Sequence, residues 1–313
     1  MASEITYTGH GDLFIAAALN QLLWETIVDR SDLRALCANF GSVKGTGSIA
    51  SKVAKVSWDD AMSAANTDEV TAIANVDLAT ATVSITTARQ ALKRVVTDPY
   101  ALVGGPAPTI EAFAADMGRA ASLRFTDMIC ALFGSLATSK GTTNTDLTVD
   151  DVSDAMYALI QARAPMTAGC TAILAAIQLT DFLESLRGEG GSAEFSPATE
   201  AMLSMARNEG YGSHGMWRGC DFWSVDSVNT SGNDKVGAMF CPGCYGYMEG
   251  IPSEVLAHAA PGSFAALAPN GSPIFVEFER LAAEAHTLIV GNYYVGVQEI
   301  EDLRGVKIVT GAT

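Results

Sequence analysis

The chain has 313 residues, of which 49% are apolar and only 17% charged, with a formal net charge of −16. That acidic balance excludes a sequence-specific nucleic-acid binder, whose phosphate contacts need Lys and Arg; it permits a wall that encloses nucleic acid without adhering to it. The charged share falls below the roughly 25% of an ordinary soluble domain, so burial between copies of the chain is an expected remedy for the surplus apolar surface.

At this length two or three lobes are expected. No basic leader opens the sequence, because Glu4 and Asp12 interrupt its first apolar run. Residues 255–276 form the longest uncharged stretch, but Pro261, Pro269 and Pro273 mark 255–273 as loop and not membrane helix. The expectation is a soluble chain made in the cytoplasm, with its six cysteines as reduced, mostly buried thiols.

In chain order, residues 1–40 carry Leu13, Phe14, Ala17, Ala18, Leu22 and Ile27 at near-helical spacing and read as an arm. Residues 49–58 and 78–96 alternate with period two, as in Val83, Ile85 and Thr87 against Thr82, Ser84 and Thr86. They predict two strands of an extended hairpin with little core of its own. After the breaker cluster at 98–109, Thr109 is a candidate N-cap. From Ile110 the series Phe113, Met117, Ala121, Phe125, Ile129, Leu132 and Leu136 keeps helical spacing. Its length predicts a rod of roughly 40 Å.

Thr148 and Asp151 predict a capping box for a second helix that stops before Pro165. Residues 170–188 predict a short apolar strand followed by a helix with Leu179, Phe182, Leu183 and Leu186 on one face. Residues 210–240 mix short strands with Gly-rich turns. In the last forty residues, 288–297 is a strand, EIEDLRG a polar break and VKIVTGA a second strand. These closing strands are expected to pair with the base of the hairpin and pack on the long helix.

Few residues carry recognisable chemistry. The Cys241-Pro-Gly-Cys244 sequence has three readings: structural thiols, a redox pair or half of a metal site. With Cys220 and His214 it matches no common zinc spacing, and no βαβ pattern surrounds it. His10, His214, His258 and His286 are dispersed; GYGSHG is not a nucleophile elbow, and KGTGS lacks the context of a phosphate loop. Glu277, Glu279, Glu299, Glu301 and Asp302 flank the closing strands as ladder or solvent-facing groups. No catalytic, cofactor-binding or metal residue is assigned, and no cofactor is expected. The hairpin's Lys44, Lys52, Lys55, Arg89, Lys93 and Arg94 stand out in an acidic chain and suit pairing with acidic surface on a neighbouring subunit.

The order of these parts resembles the major capsid proteins of tailed double-stranded DNA bacteriophages, the Hong Kong 97-type fold. TVSITTARQALKRVVTD looks like the second strand of the family's extended loop. PTIEAFAADMGRAASLRFTDMICALFGSL looks like its spine helix. TVDDVSDAMYALIQARAP, TAILAAIQLTDFLESL and GMWRGCDFWSVDSVNTSGNDKVGAMF resemble the axial domain. IFVEFERLAAEAHTLIVGNYYVGVQEIEDLRGVKIVTGA resembles the peripheral-domain strands.

The resemblance implies an α+β fold with an N-terminal arm at 1–40, an extended β-hairpin loop at 41–98 and a peripheral domain with the spine helix at 99–146. It further implies an axial domain at 147–271 and the peripheral domain's C-terminal strands at 272–313. It implies a non-enzymatic subunit that self-assembles as hexamers and pentamers into an icosahedral head around double-stranded DNA, without sequence-specific binding and with no membrane. The particle is assembled in the host cytoplasm; portal, scaffolding and decoration proteins are the implied partners. The competing readings are an encapsulin-type nanocompartment shell, a redox or metal protein dependent on the CxxC, and a tail or baseplate structural protein.

Overall fold

The computed structural model describes residues 33–42, 50–56, 80–97, 106–189, 212–251, 255, 264–267, 273–284 and 286–311. Most of the expected arm, Lys44, His10 and His258 lie outside them. In chain order come β1 (Ala38–Asn39), β2 (Ala50–Val56), β3 (Thr80–Thr86), β4 (Ala88–Thr97), α1 (Pro106–Ala131), β5 (Ser139–Lys140) and α2 (Val149–Gln161). There follow β6 (Cys170–Leu174), α3 (Ala176–Glu189), β7 (Gly212–Trp217), β8 (Cys220–Ser224), β9 (Thr230–Ser231) and β10 (Asp234–Phe240). The last strands are β11 (Tyr245–Glu249), β12 (Phe264–Leu267), β13 (Pro273–Leu281), β14 (His286–Glu299) and β15 (Gly305–Gly311).

Strand pairing sorts these into three sheets. A six-stranded sheet runs β1-β11-β14-β13-β12, with β4 also on β14; a seven-stranded sheet runs β5-β15-β10-β6-β8-β7, with β9 on β10. The third is the two-stranded ribbon β2–β3, in register from Ala50↔Thr86 to Val56↔Thr80. The ribbon matches the predicted hairpin with one difference. The run at 78–96 is two strands, because β3 pairs with β2 whereas β4 leaves the ribbon and pairs with β14 from Ala88↔Val295 to Thr97↔His286. Thr87, between them, is buried.

The 26-residue α1 has the expected length of about 40 Å. It starts at Pro106, so Thr109 lies inside the helix and not at its cap; proline suits a first turn, where its missing N–H has no partner to lose. Met117, Ala121, Phe125 and Ile129 form its buried face, four residues apart. They meet Ile289, Tyr293 and Val295 of β14 and Tyr247 of β11 in one core, with Phe125 edge-on to Tyr247 at 5.3 Å. Gly291 fits this seam because a side chain there would collide with Met117. The capping box of α2 is formed: Thr148 Oγ1 accepts from the Asp151 amide at 3.2 Å, and Asp151 Oδ2 accepts from the Thr148 amide at 3.1 Å.

A second core lies between α2, α3 and the seven-stranded sheet. It holds Val152, Leu159, Phe182, Phe222, Met239 and Ile308, with Phe182 stacked on Phe222 at 5.0 Å. Gln178 is buried at the sheet's centre, where its amide donates to Thr310 Oγ1 at 2.8 Å and its carbonyl accepts from the Ala175 amide at 3.0 Å.

Two further expectations differ from the structure. The stretch 255–273 contains a strand, β12, paired with β13 from Phe264↔Val276 to Leu267↔Pro273; its Ala-rich, Pro-flanked sequence carries no alternation signal. The closing strands also separate. β14 joins β4 and packs on α1 as expected, but β15 crosses to the other sheet and pairs with β10 from Phe240↔Gly305 to Asp234↔Gly311. Sheet membership therefore cuts across the linear boundary at 271/272: β11 and β12 lie before it and pair into the six-stranded sheet, and β15 lies after it in the seven-stranded one.

Candidate assembly surfaces and the waist between the sheets

The chain passes between the two sheets at three places that are bonded to one another. The first is the segment after α1, leading to β5. The second is the Cys241–Cys244 turn between β10 and β11. The third is the 300–304 segment between β14 and β15. The Cys244 amide donates to the Cys241 carbonyl at 3.2 Å, Pro242 stands second in the turn and Gly243 third with φ +86°. These are the features of a type II turn, which needs glycine at its third position.

The turn is bound to the 300–304 segment on both sides. The Cys241 amide donates to the Arg304 carbonyl at 2.9 Å, and the Ile300 amide to the Cys244 carbonyl at 2.8 Å. Arg304 Nη1 donates to the Pro242 carbonyl at 2.9 Å, so its side chain lies across the turn. The first crossing is tied to the third: the Ala137 amide donates to Asp302 Oδ1 at 2.8 Å, and Ser135 Oγ donates to Glu299 Oε2. Gly305 is needed because a Cβ there would lie 2.7 Å from a Leu136 methyl and 2.8 Å from Cys244 Sγ.

This geometry bears on the CxxC readings. Cys241 packs in the α2/α3 core and Cys244 in the α1 core, so the two thiols serve different lobes. Burial, then the carboxylates of Glu299 and Asp302, push the Cys244 thiol well above its ordinary range. A redox-active CxxC thiol needs the opposite shift. Among the described residues no group of three or more His, Cys, Asp or Glu is arranged to hold a metal ion. His214 lies in β7, and Cys220 sits beside Cys170. His286 Nε2 stands 3.3 Å from Glu284 Oε2.

The basic candidates divide. Lys52, Lys93 and Arg94 are exposed. Arg89 is engaged within its own sheet: its Nε donates to Asn292 Oδ1 at 2.6 Å, and Asn292 in turn donates to Glu277 Oε2 at 2.7 Å. These residues lie on the face of β4, β14 and β13 opposite α1. The ribbon's root rests on that same face, where Ile85 packs on Met248 with Val53 and Ile300. It passes Gly296 so closely that any Cβ there would strike the Thr86 carbonyl.

The remaining surface carries large apolar side chains in the open. Met216 is 66% exposed, Tyr157 59%, Ile160 57% and Val95 54%. Tyr157 and Ile160 stand one turn apart on α2. A cleft between α1 and the β4/β14 pair is lined by Gln90, Leu92, Met117, Arg124 and Tyr293 and gathers no cluster of titratable groups. No described helix is long and apolar enough to cross a membrane.

No family model matches the chain, and no curated protein matches it in sequence. Solved structures do match in fold. A chain of Mycobacterium phage Che8 superposes with TM-score 0.56 at 15% identity, covering 91% of this chain and 90% of that one. A chain from the mature capsid of bacteriophage PhiM1 gives 0.57 at 8% identity, covering 90% and 88%. A chain of the holo-SrpI encapsulin complex from Synechococcus elongatus gives 0.50 at 12% identity, covering 90% and 86%. Over nine-tenths of its length this chain carries the Hong Kong 97-type fold, the α+β fold of phage capsid shells.

Proposed function

We propose that the protein is a shell subunit, the major capsid protein of a tailed double-stranded DNA phage. The observation that carries this reading is the superposition on capsid chains over about 90% of both partners. In this reading the six-stranded sheet with α1 is the peripheral domain, the seven-stranded sheet with α2 and α3 is the axial domain, and β2–β3 is the extended loop. Hexamers and pentamers close an icosahedral head, with portal, scaffolding and decoration proteins as partners. The virion shell is its location, and the host cytoplasm is where it assembles. Its role is structural and not enzymatic.

The physical features agree with that role. A two-stranded ribbon buries little within its own chain, so lying on a neighbour gives its apolar atoms the burial they lack, at about 25 cal/mol per Å². The exposed Tyr157, Ile160 and Val95 are affordable on a surface that other subunits cover. The net charge of −16 suits an inner wall along which DNA moves without adhering.

Electron microscopy of the purified chain, alone and with a co-expressed scaffolding protein, tests the proposal. Closed shells of uniform size are expected, and a monomer under every condition would refute it. The encapsulin match supports a second reading in which the shell holds protein cargo. Particles purified from the native source separate the two: packaged DNA supports the capsid and packaged enzyme the compartment. On β4, Lys93→Glu is a cleaner assembly probe than Arg89→Glu, because Arg89 also holds Asn292 in its own sheet.

A further inference from the structure

Three of the six cysteines stand in a row across three neighbouring strands. Cys170 opens β6, and the parallel ladder sets it directly opposite Cys220 of β8. On its other side the antiparallel ladder pairs Thr171 with Phe240. One further step of that register brings Cys241 opposite Cys170. All three side chains are buried in the core beneath α2 and α3. Cys220 Sγ lies 3.2 Å from Cys170 Sγ, and Cys241 Sγ lies 3.5 Å from Met166 Sδ. The six cysteines are all free thiols.

We propose that Cys170 and Cys220 are an oxidation site, closing a cross-strand disulfide within one chain when the protein meets a peroxide, and leaving Cys241 as the reduced end of the row. The backbone is already suited to it. Adjacent strands lie about 4.8 Å apart, within the roughly 4.4–6.8 Å between Cα atoms that a disulfide spans. The sulfurs must approach by about 1 Å to reach bonding distance, which small side-chain rotations supply.

The chemistry balances. One thiolate attacks hydrogen peroxide, forming an S–O bond as the O–O bond breaks, and the departing oxygen leaves as water. The second sulfur then displaces the sulfenic oxygen, forming S–S as S–O breaks, and a second water leaves. Two thiols lose two electrons and two protons, and the peroxide is reduced to two waters. Hydrogen bonding to Cys220 and burial hold the Cys170 thiol above its ordinary range, partly offset by Cys241. The reaction is therefore slow at neutral pH and accelerates in alkali.

This site does not depend on the shell reading, because all three thiols belong to one chain. The test exposes the reduced full-length protein to hydrogen peroxide, quenches with catalase, alkylates under denaturing conditions and maps tryptic peptides. Cleavage separates the two cysteines cleanly, Cys170 into peptide 164–187 and Cys220 into peptide 219–235, away from Cys241 and Cys244 in 236–280. The expected result is a 164–187/219–235 linked pair, with alkylated thiols falling from six to four per chain. Cys170→Ser is expected to keep its remaining thiols reduced. Wild type alone should gain a higher unfolding midpoint after peroxide. Retention of all six thiols, their loss to sulfinic acid without a linked peptide, a link through Cys241 alone, or a link between chains would each overturn the proposal.

Discussion

Arg34 Nη2 donates to Tyr293 Oη at 2.7 Å, joining two residues 259 positions apart inside the main core. Tyr293 Oη passes the interaction on, donating to Glu249 Oε2 at 2.6 Å, and Arg34 Nε stands 3.5 Å from the same carboxylate. The guanidinium lies 4.9 Å over the Phe125 ring. One ion pair thus fixes the short turn at 33–36 to β11, β14 and α1 at once.

Removing the cation strands a buried carboxylate. Arg34→Ala is expected to destabilise the chain by about 3–5 kcal/mol in urea unfolding. Arg34→Ala with Glu249→Gln should recover part of that loss, because the uncompensated charge is gone. Equal losses in the single and double variants would show that the cost is packing alone.

Two glycines of β14 should differ sharply. An alanine at Gly291 meets the flexible end of Met117, whereas one at Gly296 meets the Thr86 backbone, which has nowhere to go. Gly291→Ala is expected to cost about 1–3 kcal/mol, with Met117→Ala restoring some of it. Gly296→Ala should instead lift the ribbon's root from the sheet. Faster amide exchange in β2 and β3 of that variant, with β13 and β14 still protected, is the readout.

At the waist, Gly243→Ala forces a side chain into positive φ and against Arg304, whose Nη1 lies 2.6 Å from the Cβ position. A loss of about 1–3 kcal/mol is expected. Arg304→Ala should cost about 1 kcal/mol through its bond to the Pro242 carbonyl. Amide exchange at Cys241, Ile300 and Glu301 should quicken in both variants before exchange in either sheet does.

Stability should fall in alkali. Burial first, then Asp127 and Cys37, push the Cys130 thiol from its ordinary 9.0 up to about 12. Burial raises Cys244, Tyr245 and Tyr293 as well. Each raised group favours the folded state fully below its unfolded pKa, and that contribution is lost as pH rises towards the folded value. For Cys130 the window is pH 9 to 12, with a slope of up to about 1.4 kcal/mol per pH unit. Cys130→Ala should flatten that slope in urea titrations at pH 8, 9 and 10, whatever its cost at pH 7.

Local periodicity made much of this fold readable. Val83, Ile85 and Thr87 face inward as their alternation requires, and Thr148 caps α2 through Asp151 as their spacing requires. The break between β3 and β4 shows instead in burial, as a change of phase: inward positions are odd through Thr87 and even from Gln90 to Leu92 and Val96. What periodicity cannot express is partner choice. Nothing local in VKIVTGA distinguishes pairing with β10 from pairing with the hairpin. The Cys241–Cys244 turn looked like one chemical unit because its residues are adjacent, yet a tight turn at a sheet boundary sends its two ends into different cores. The Arg34–Glu249–Tyr293 group has no local signature, because Arg34 lies more than 200 positions from its two partners.

The crossing of β15 has a consequence for synthesis. That strand lies between β5 and β10, which are otherwise unpaired along those edges. Until the ribosome has passed residue 311, β10 presents an open edge and the sites of Val306 and Ile308 in the core are empty. Every strand of the six-stranded sheet has been made by Glu299, whereas the seven-stranded sheet, begun at Ser139, still waits for β15. A chain cut short before β15 presents an unfinished sheet, open to unwanted pairing and within reach of proteases.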